Sequence, residues 1–292
     1  MGDWLPLLLA VAAGAAFGLN VHVQGRALRG ADGLTGAFLS VGAMAAFFWL
    51  FSPLAISWAW FLTGSAAIFA VAGLFFPALG QTLQVASVGR VGPNLTSAIA
   101  SFTPVFAIVP ALLFLNESLG VRGALGLSLM IFGLVLSALG TKGIPRGWPL
   151  WAILLPLGAS AARGLAQPGL KVGLADLPSP YFAALVTASV STLVLGLVVL
   201  LRRRRAAPSA IPHDRRALGL FALSGIINGL GILALNGAVM GGNITLVSPL
   251  IATSPLWSLL FAALFFGRNT LSMRLLLVSC LVVAGVALLV TR

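Results

Sequence analysis

Ser160, Arg163 and Gln167 stand i, i+3 and i+7 in an otherwise apolar run, so a helix drawn through them carries one polar face. Arg163 follows Trp151 by twelve residues, which sets its guanidinium near the middle of that run. An arginine at the centre of a membrane-spanning helix costs about 2.5 to 3.5 kcal/mol on insertion scales, and is a functional candidate for that reason. The chemistry it offers is a two-point grip on a carboxylate. An ammonium on the same substrate then needs carbonyls or an aromatic face, available from the prolines at Pro104 and Pro255 or from Phe102, Phe106 and Trp257. A zwitterion fits this set. The competing reading of Arg163 is a structural arginine bonded to helix-end carbonyls.

Softer polar faces accompany it. Asn20 and Gln24 lie i, i+4; Gln81 and Gln84 lie i, i+3; Ser97 and Ser101 share a segment with Pro104; Asn228 and Asn236 mark a later one. Singly, each is explained by a hydrogen bond to a neighbouring helix worth about 0.6 kcal/mol. Together they line the segments that a central chamber would draw on. His22, with an ordinary pKa near 6.5, is a candidate for carrying a coupling proton, although its place toward the end of a segment also suits an interfacial histidine. Gly14-x-x-x-Gly18 and the Gly123, Gly126, Gly133 series read as close helix contacts.

Other chemistries find little footing. Asp3, Asp32, Glu117, Asp176 and Asp214 all fall in termini or connections, so the apolar segments carry no carboxylate to bind a cation or relay a proton. One cysteine, Cys280, and no Cys/His cluster give neither a disulfide nor a metal site, and no cofactor is expected. No GxxxxGK loop points to ATP. Leu157-Gly158-Ala159-Ser160-Ala161 is a partial Gly-x-Ser with His22 as its only intramembrane base, so an enzyme is not expected.

The elements that must position these residues are membrane helices. The chain is 60% hydrophobic and 8% charged with mean hydropathy +1.09, against about 25% charged residues in a soluble domain. Cutting at charges and at Pro and Gly clusters predicts ten spans, at 4–27, 34–51, 58–87, 94–115, 121–140, 150–173, 181–201, 217–239, 245–266 and 272–290. Pro77 predicts a kink in the long third span. The first span lacks a basic leader and is read as retained. Net charge is +12, but the basic residues sit between apolar segments, which marks membrane topology and lipid headgroups rather than nucleic acid.

An internal repeat organises the spans. At an offset of 151, Ser97 meets Ser248, Thr103 meets Ser254, Pro104 meets Pro255 and Phe106 meets Trp257. Two halves of five spans follow, 1–145 and 146–292, and an odd number of crossings sets the second half upside down relative to the first. Thirteen Lys and Arg fall in the connections on one side and three on the other. Counterparts trade charge, since the 2–3 connection (SPLAIS) has none while the 7–8 connection (RRRRAAPSAIPHDRR) has six. The basic side reads as cytoplasmic, with both termini outside. Pro104 and Pro255 would loosen the carbonyls of Ala100 and Ile251 toward a wet cavity, or else simply kink their helices.

The small-x-x-x-Thr/Ser-Pro-x-aromatic pattern, the acidic Asn116-Glu117-Ser118-Leu119 connection and the glycine-spaced helix after it resemble the drug/metabolite transporter superfamily, EamA family, along essentially the whole chain. The look is closest to the YddG-type amino-acid exporters. The resemblance implies an all-α membrane protein with ten helices in two inverted five-helix repeats around a central cavity. It also implies alternating access, export of small metabolites such as amino acids, a bacterial inner-membrane location, and a monomer or homodimer among lipids. Two features depart from the pattern: Gly267-Arg268-Asn269 replaces the second acidic connection, and relatives often keep both termini in the cytoplasm. Other organic anions or sugar and nucleotide-type metabolites are the alternative cargo, and a passive channel the alternative class.

Overall fold

The structure, a computed structural model, describes residues 4–139, 149–205, 214–266, 281, 282 and 284–289. All the regular structure among them is helical: α1 (Trp4–Ala27), α2 (Gly33–Ala55), α3 (Gly64–Gly73), α4 (Gly80–Ile99), α5 (Thr103–Phe114), α6 (Val121–Leu139), α7 (Leu154–Asp176), α8 (Pro180–Arg205), α9 (Arg215–Gly241), α10 (Ile244–Ile251) and α11 (Ser254–Phe266). Hydrocarbon leaves only this choice, because a helix satisfies its own backbone polar groups. Seven stretches among the described residues are long and apolar enough to cross a membrane, including Gly64–Pro93 and Leu95–Phe114, and a shorter apolar stretch covers Val121–Gly133. Helix α7 is not one of the seven; it is the helix that carries Arg163, Gln167 and Lys171. The expected tenth span, with Cys280, the boundary at 145, Arg268 and Arg274 lie wholly or largely outside the described residues.

Several breaks differ in detail from the expected spans. The third begins with a short 3-10 turn, Trp58–Leu62, and becomes α-helical only at Gly64, where Thr63 caps it through Ala66 N–H. Pro77 lies in a wide turn, Leu74–Leu79, where Phe76 is extended (φ −147, ψ 121) and is aimed inward. Helix α4 is interrupted at Gly92, whose φ of 82 a side chain would resist, and Pro93 restarts it. Pro104 opens α5 after the 3-10 turn Ala100–Phe102, and Pro255 opens α11 after the turn at Ala252 and Thr253.

Helix directions follow from who touches whom. Phe17 meets Phe76 and Gln24 meets Gln84, so α1 runs alongside the α3–α4 crossing in the same sense. Along α7 the order reverses: Gly158 lies against Leu83, and Gly173 against Phe69. Helices α1 and α7 therefore run in opposite directions. Their neighbours exchange accordingly, α1 packing on α9, α10 and α11 while α7 packs on α3, α4 and α5, with α2 against α8.

Two glycines make that exchange explicit. A Cβ at Gly18 of α1 would lie under 3 Å from Ser254 O, Trp257 Cβ and Ser258 N; a Cβ at Gly164 of α7 would meet Thr103 O, Phe106 Cβ and Ala107 N at 3.0 Å or less. Those two triplets are each other's counterparts at the offset of 151. Only glycine lets the backbones approach this closely. Gly14 against Ile251 O and Gly126 against Gly285 O bear out the expected packing role at those positions.

The two ends of the bundle differ. At one, Arg202 pairs with Asp32 at 3.1 Å, Asp214 N–H reaches Gly30 O, and Arg90 lies over Trp151 at 5.3 Å. Asp32 and Asp214 there cap α2 and α9. Burial raises the Asp32 carboxyl, but its bonds to Thr35, the Arg202 charge and Leu34 N–H leave it below the usual carboxylate range. The other end has the uncharged α2–α3 connection, where Trp49, Trp58 and Phe61 stack, as aromatic side chains do at a membrane interface.

Candidate functional site

Arg163 is 6% exposed and lies where the opposed helices meet. Its guanidinium is held between two rings, with Cζ 4.6 Å from the centroid of Phe17 and 4.6 Å from that of Phe76. The extended Phe76 residue in the Leu74–Leu79 turn places the second ring. Counting from Gly18 and Gly164, Phe17 and Arg163 occupy equivalent places in the two halves. Arg163 thus stands beside its own counterpart, on the axis that relates them.

One strong hydrogen bond steadies it. Arg163 Nη2 donates to Gln84 Oε1 at 2.6 Å, and Gln84 Nε2 donates to Gln24 Oε1 at 3.2 Å. Arg163 Nε, Gln24 Nε2 and both amide atoms of Gln167 are buried with no hydrogen-bond partner among the described residues. No acidic group among them forms an ion pair with Arg163. A buried cation and a fully buried amide left without partners are costly unless a ligand or water completes them. The cavity beside Arg163, lined by Gln84, Thr96, Thr103, Pro156 and Ser160 among others, measures about 10 Å³, room for about one water.

The remaining candidates divide. Ser160 borders the same cavity, but its hydroxyl donates to Pro156 O at 2.8 Å and Ile99 O at 3.1 Å, tying α7 to the end of α4. Ser97 and Ser101 are buried with hydroxyls unpartnered among the described residues, as are Thr103 and Ser248. Asn20 belongs to a second network: Ser224 Oγ donates to its Oδ1 at 2.7 Å, its Nδ2 reaches Asn228 Oδ1 at 3.4 Å, and Ser224 contacts Ser40, which accepts from Gln81. Asn236 is apart, donating to Pro180 O. Phe102 is half-buried in its 3-10 turn, and Trp257 packs its Cβ toward Gly18 and its ring near Phe261.

The prolines and the serine–histidine pair have these surroundings. Of the two readings of Pro104 and Pro255, the described contacts favour the packing kink: Ala100 O accepts Thr103 N–H, although Ala100 also borders the small cavity beside Arg163, and Ile251 O lies against Gly14 of α1. Both prolines mark close helix crossings. Ser160 is engaged as above, while His22 Nε2 lies 2.8 Å from Ser258 Oγ across to α11. Sequence reasoning missed Phe17, Phe76 and the direct role of Gln84. The spacing of Gln84 was visible, but which helix it faced was not.

The family model described as "EamA-like transporter family" matches residues 4–139 and again 150–291. The chain belongs to the EamA-like transporter family. It is therefore a multi-pass integral membrane protein of the drug/metabolite transporter type, built of two copies of the family unit. A solved structure described as "Crystal structure of protein" superposes on it with a TM-score of 0.68 at 18% identity, covering 97% of this chain and 94% of that one, which shows a shared fold. No curated protein matches it significantly. For an EamA-like chain the expectation of two repeats is met, and α7 of the second copy supplies the charged residue that α1 of the first lacks.

Proposed function

We propose that this EamA-like protein is a secondary transporter that exports amino acids, with apolar or aromatic side chains favoured, by alternating access of two inverted five-helix halves in a bacterial inner membrane. The observation that carries the proposal is Arg163: a guanidinium held on the axis between Phe17 and Phe76, bonded to Gln84, with Nε unpartnered among the described residues. A substrate carboxylate would take Nε and Nη2 together and displace Gln84 from the latter. The ammonium would find acceptors in Gln167 Oε1 and Gln81 Oε1, both buried and unpartnered among the described residues. Phe17 and Phe76 would then face an apolar side chain.

A cavity of about 10 Å³ holds no amino acid, so binding requires the halves to separate on one side. Opposed directions of α1 and α7 are the arrangement that lets one half rock against the other. Larger organic anions with two negative charges would call for a second buried cation, and none accompanies Arg163 among the described residues. Energy coupling falls to the substrate gradient or to His22, whose ring bridges α1 and α11 through Ser258.

The test is counterflow of labelled aromatic amino acids in proteoliposomes. The intact protein should show saturable counterflow, and Arg163→Ala should lower it by at least about a hundredfold, the scale of a lost bidentate charged contact. Arg163→Lys keeps the charge but loses the planar fork and should fall between the two. Counterflow by Arg163→Ala at the intact rate overturns the carboxylate assignment. Flux that never saturates favours a channel instead.

A further inference from the structure

Glu117 plays no part in the central site, yet its carboxylate takes three hydrogen bonds, all from the other family copy. Helix α5 ends at Phe114, and Asn116, left-handed at φ 51, turns the chain so that Glu117 N–H closes back on Ala111 O. The carboxylate then crosses to the other half. Its Oε1 accepts from Lys171 Nζ at 2.7 Å and from Ile244 N–H at 2.8 Å, and its Oε2 accepts from Thr245 N–H at 2.9 Å. Lys171 Nζ also donates to Gly242 O at 2.9 Å. One acid from the first family copy thus fastens α7, the end of α9 and the start of α10, all from the second copy.

We propose that Glu117, Lys171 and the first turn of α10 form a one-sided latch that holds the sparsely charged end of the transporter closed. Parting α5 from α10 at that end separates the carboxylate from two of its three donors, Ile244 N–H and Thr245 N–H, and parting it from α7 as well removes the third, Lys171. The glutamate side chain is 6% exposed, so water does not replace those bonds while the latch is shut.

Among the described residues the opposite end is joined more loosely, by the Asp32–Arg202 pair at 3.1 Å, whose arginine side chain is 57% exposed, and by Asp214 N–H to Gly30 O. At the offset of 151, Arg268 stands in the place of Glu117 and Pro93 in the place of Ile244. An arginine accepts no hydrogen bond and a proline donates none. Opening the basic end breaks the more exposed Asp32–Arg202 pair and the Asp214–Gly30 bond, contacts that water replaces at less cost than the buried bonds of Glu117. The resting protein loads from the basic end, which for a cytoplasmic basic face means export. The direction rests on the transporter reading; the latch itself does not.

Labelling decides it without any substrate. In a Cys280→Ser background, Val247→Cys places a thiol on α10 one turn inside Ile244, at a fully buried position. A membrane-impermeant maleimide is added to oriented vesicles from one side and then from the other. Glu117→Gln keeps the shape and one acceptor but removes the charge, and should raise labelling from the Glu117 side about tenfold while labelling from the basic side stays level or falls. Lys171→Met should act in the same direction. Unchanged labelling in both variants overturns the latch. So does an equal rise from both sides, which reports loosening of the whole fold. Because no amino acid enters this assay, a wrong cargo leaves its result standing, while counterflow with a failed latch leaves the cargo standing.

Discussion

Helices α1 and α7 hold equivalent places, each pressing a glycine onto the break before a Thr/Ser-Pro helix, yet they bring different side chains to the shared axis. Helix α1 contributes the ring of Phe17 and the amide of Gln24; α7 contributes Arg163 and Gln167. Packing has been kept in duplicate while chemistry has been kept in one copy. This division makes sense physically. Two guanidinium groups at the axis would repel in a low-dielectric centre, and two rings would leave nothing to hold an anion. One of each gives a cation with an aromatic bed for it.

The sharpest way to break this pairing is Phe17→Arg, which sets a second guanidinium beside the first. It should abolish folding or membrane insertion, read as loss of the monodisperse protein after detergent extraction, since an unpaired buried charge costs several kcal/mol. Moving the cation instead, in the exchange Phe17→Arg with Arg163→Phe, should recover folded protein because one ring and one charge again share the axis. Next in size, Gly18→Val and Gly164→Val should lower stability by similar amounts, about 1 to 3 kcal/mol each from overpacking, measured by thermal melting in detergent. A large loss in one and none in the other would show that the two crossings are not equivalent.

Smaller effects test the ends and the joints. Burial raises the Glu117 carboxyl, but its bonds to Lys171, Thr245 N–H and Ile244 N–H and the Lys171 charge more than offset this, leaving it below the ordinary glutamate value of about 4.3. A depressed carboxylate pKa adds stability that is complete above the ordinary value and is lost as pH falls through the lowered one. Labelling of Val247→Cys from the Glu117 side should then be flat from pH 8 to about 5, after correction for thiol ionisation, and rise only in stronger acid. Least of all, Ser160→Ala should cost about 0.6 kcal/mol in thermal stability, since its hydroxyl joins two helices by one hydrogen bond.

Much of this arrangement could be read from the chain itself, for identifiable reasons. Arg163 stands out because a charge inside an apolar run is rare, and the Thr-Pro-x-Phe and Ser-Pro-x-Trp strings announce the duplication because polar and proline matches seldom coincide. Helix α7 was legible as a helix, expected at 150–173 and found at Leu154–Asp176, and its polar face accounts for its absence from the seven stretches long and apolar enough to cross a membrane. What stayed hidden depends on distant contacts. Phe17 and Phe76 are two among 18 phenylalanines, and nothing local shows that the turn at Leu74–Leu79 aims Phe76 at an arginine. Glu117 is visibly an acid in a connection, but its donors lie 54 and about 127 residues away in sequence. His22 likewise meets Ser258 across 236 residues.

The narrowness of the space beside Arg163 also bears on the cell's power supply. With room for about one water, the resting protein contains no file of hydrogen-bonded waters at that point along which protons could hop. In any membrane that holds an ion gradient, packing this close around the buried arginine should keep the chain's most polar point from becoming a leak.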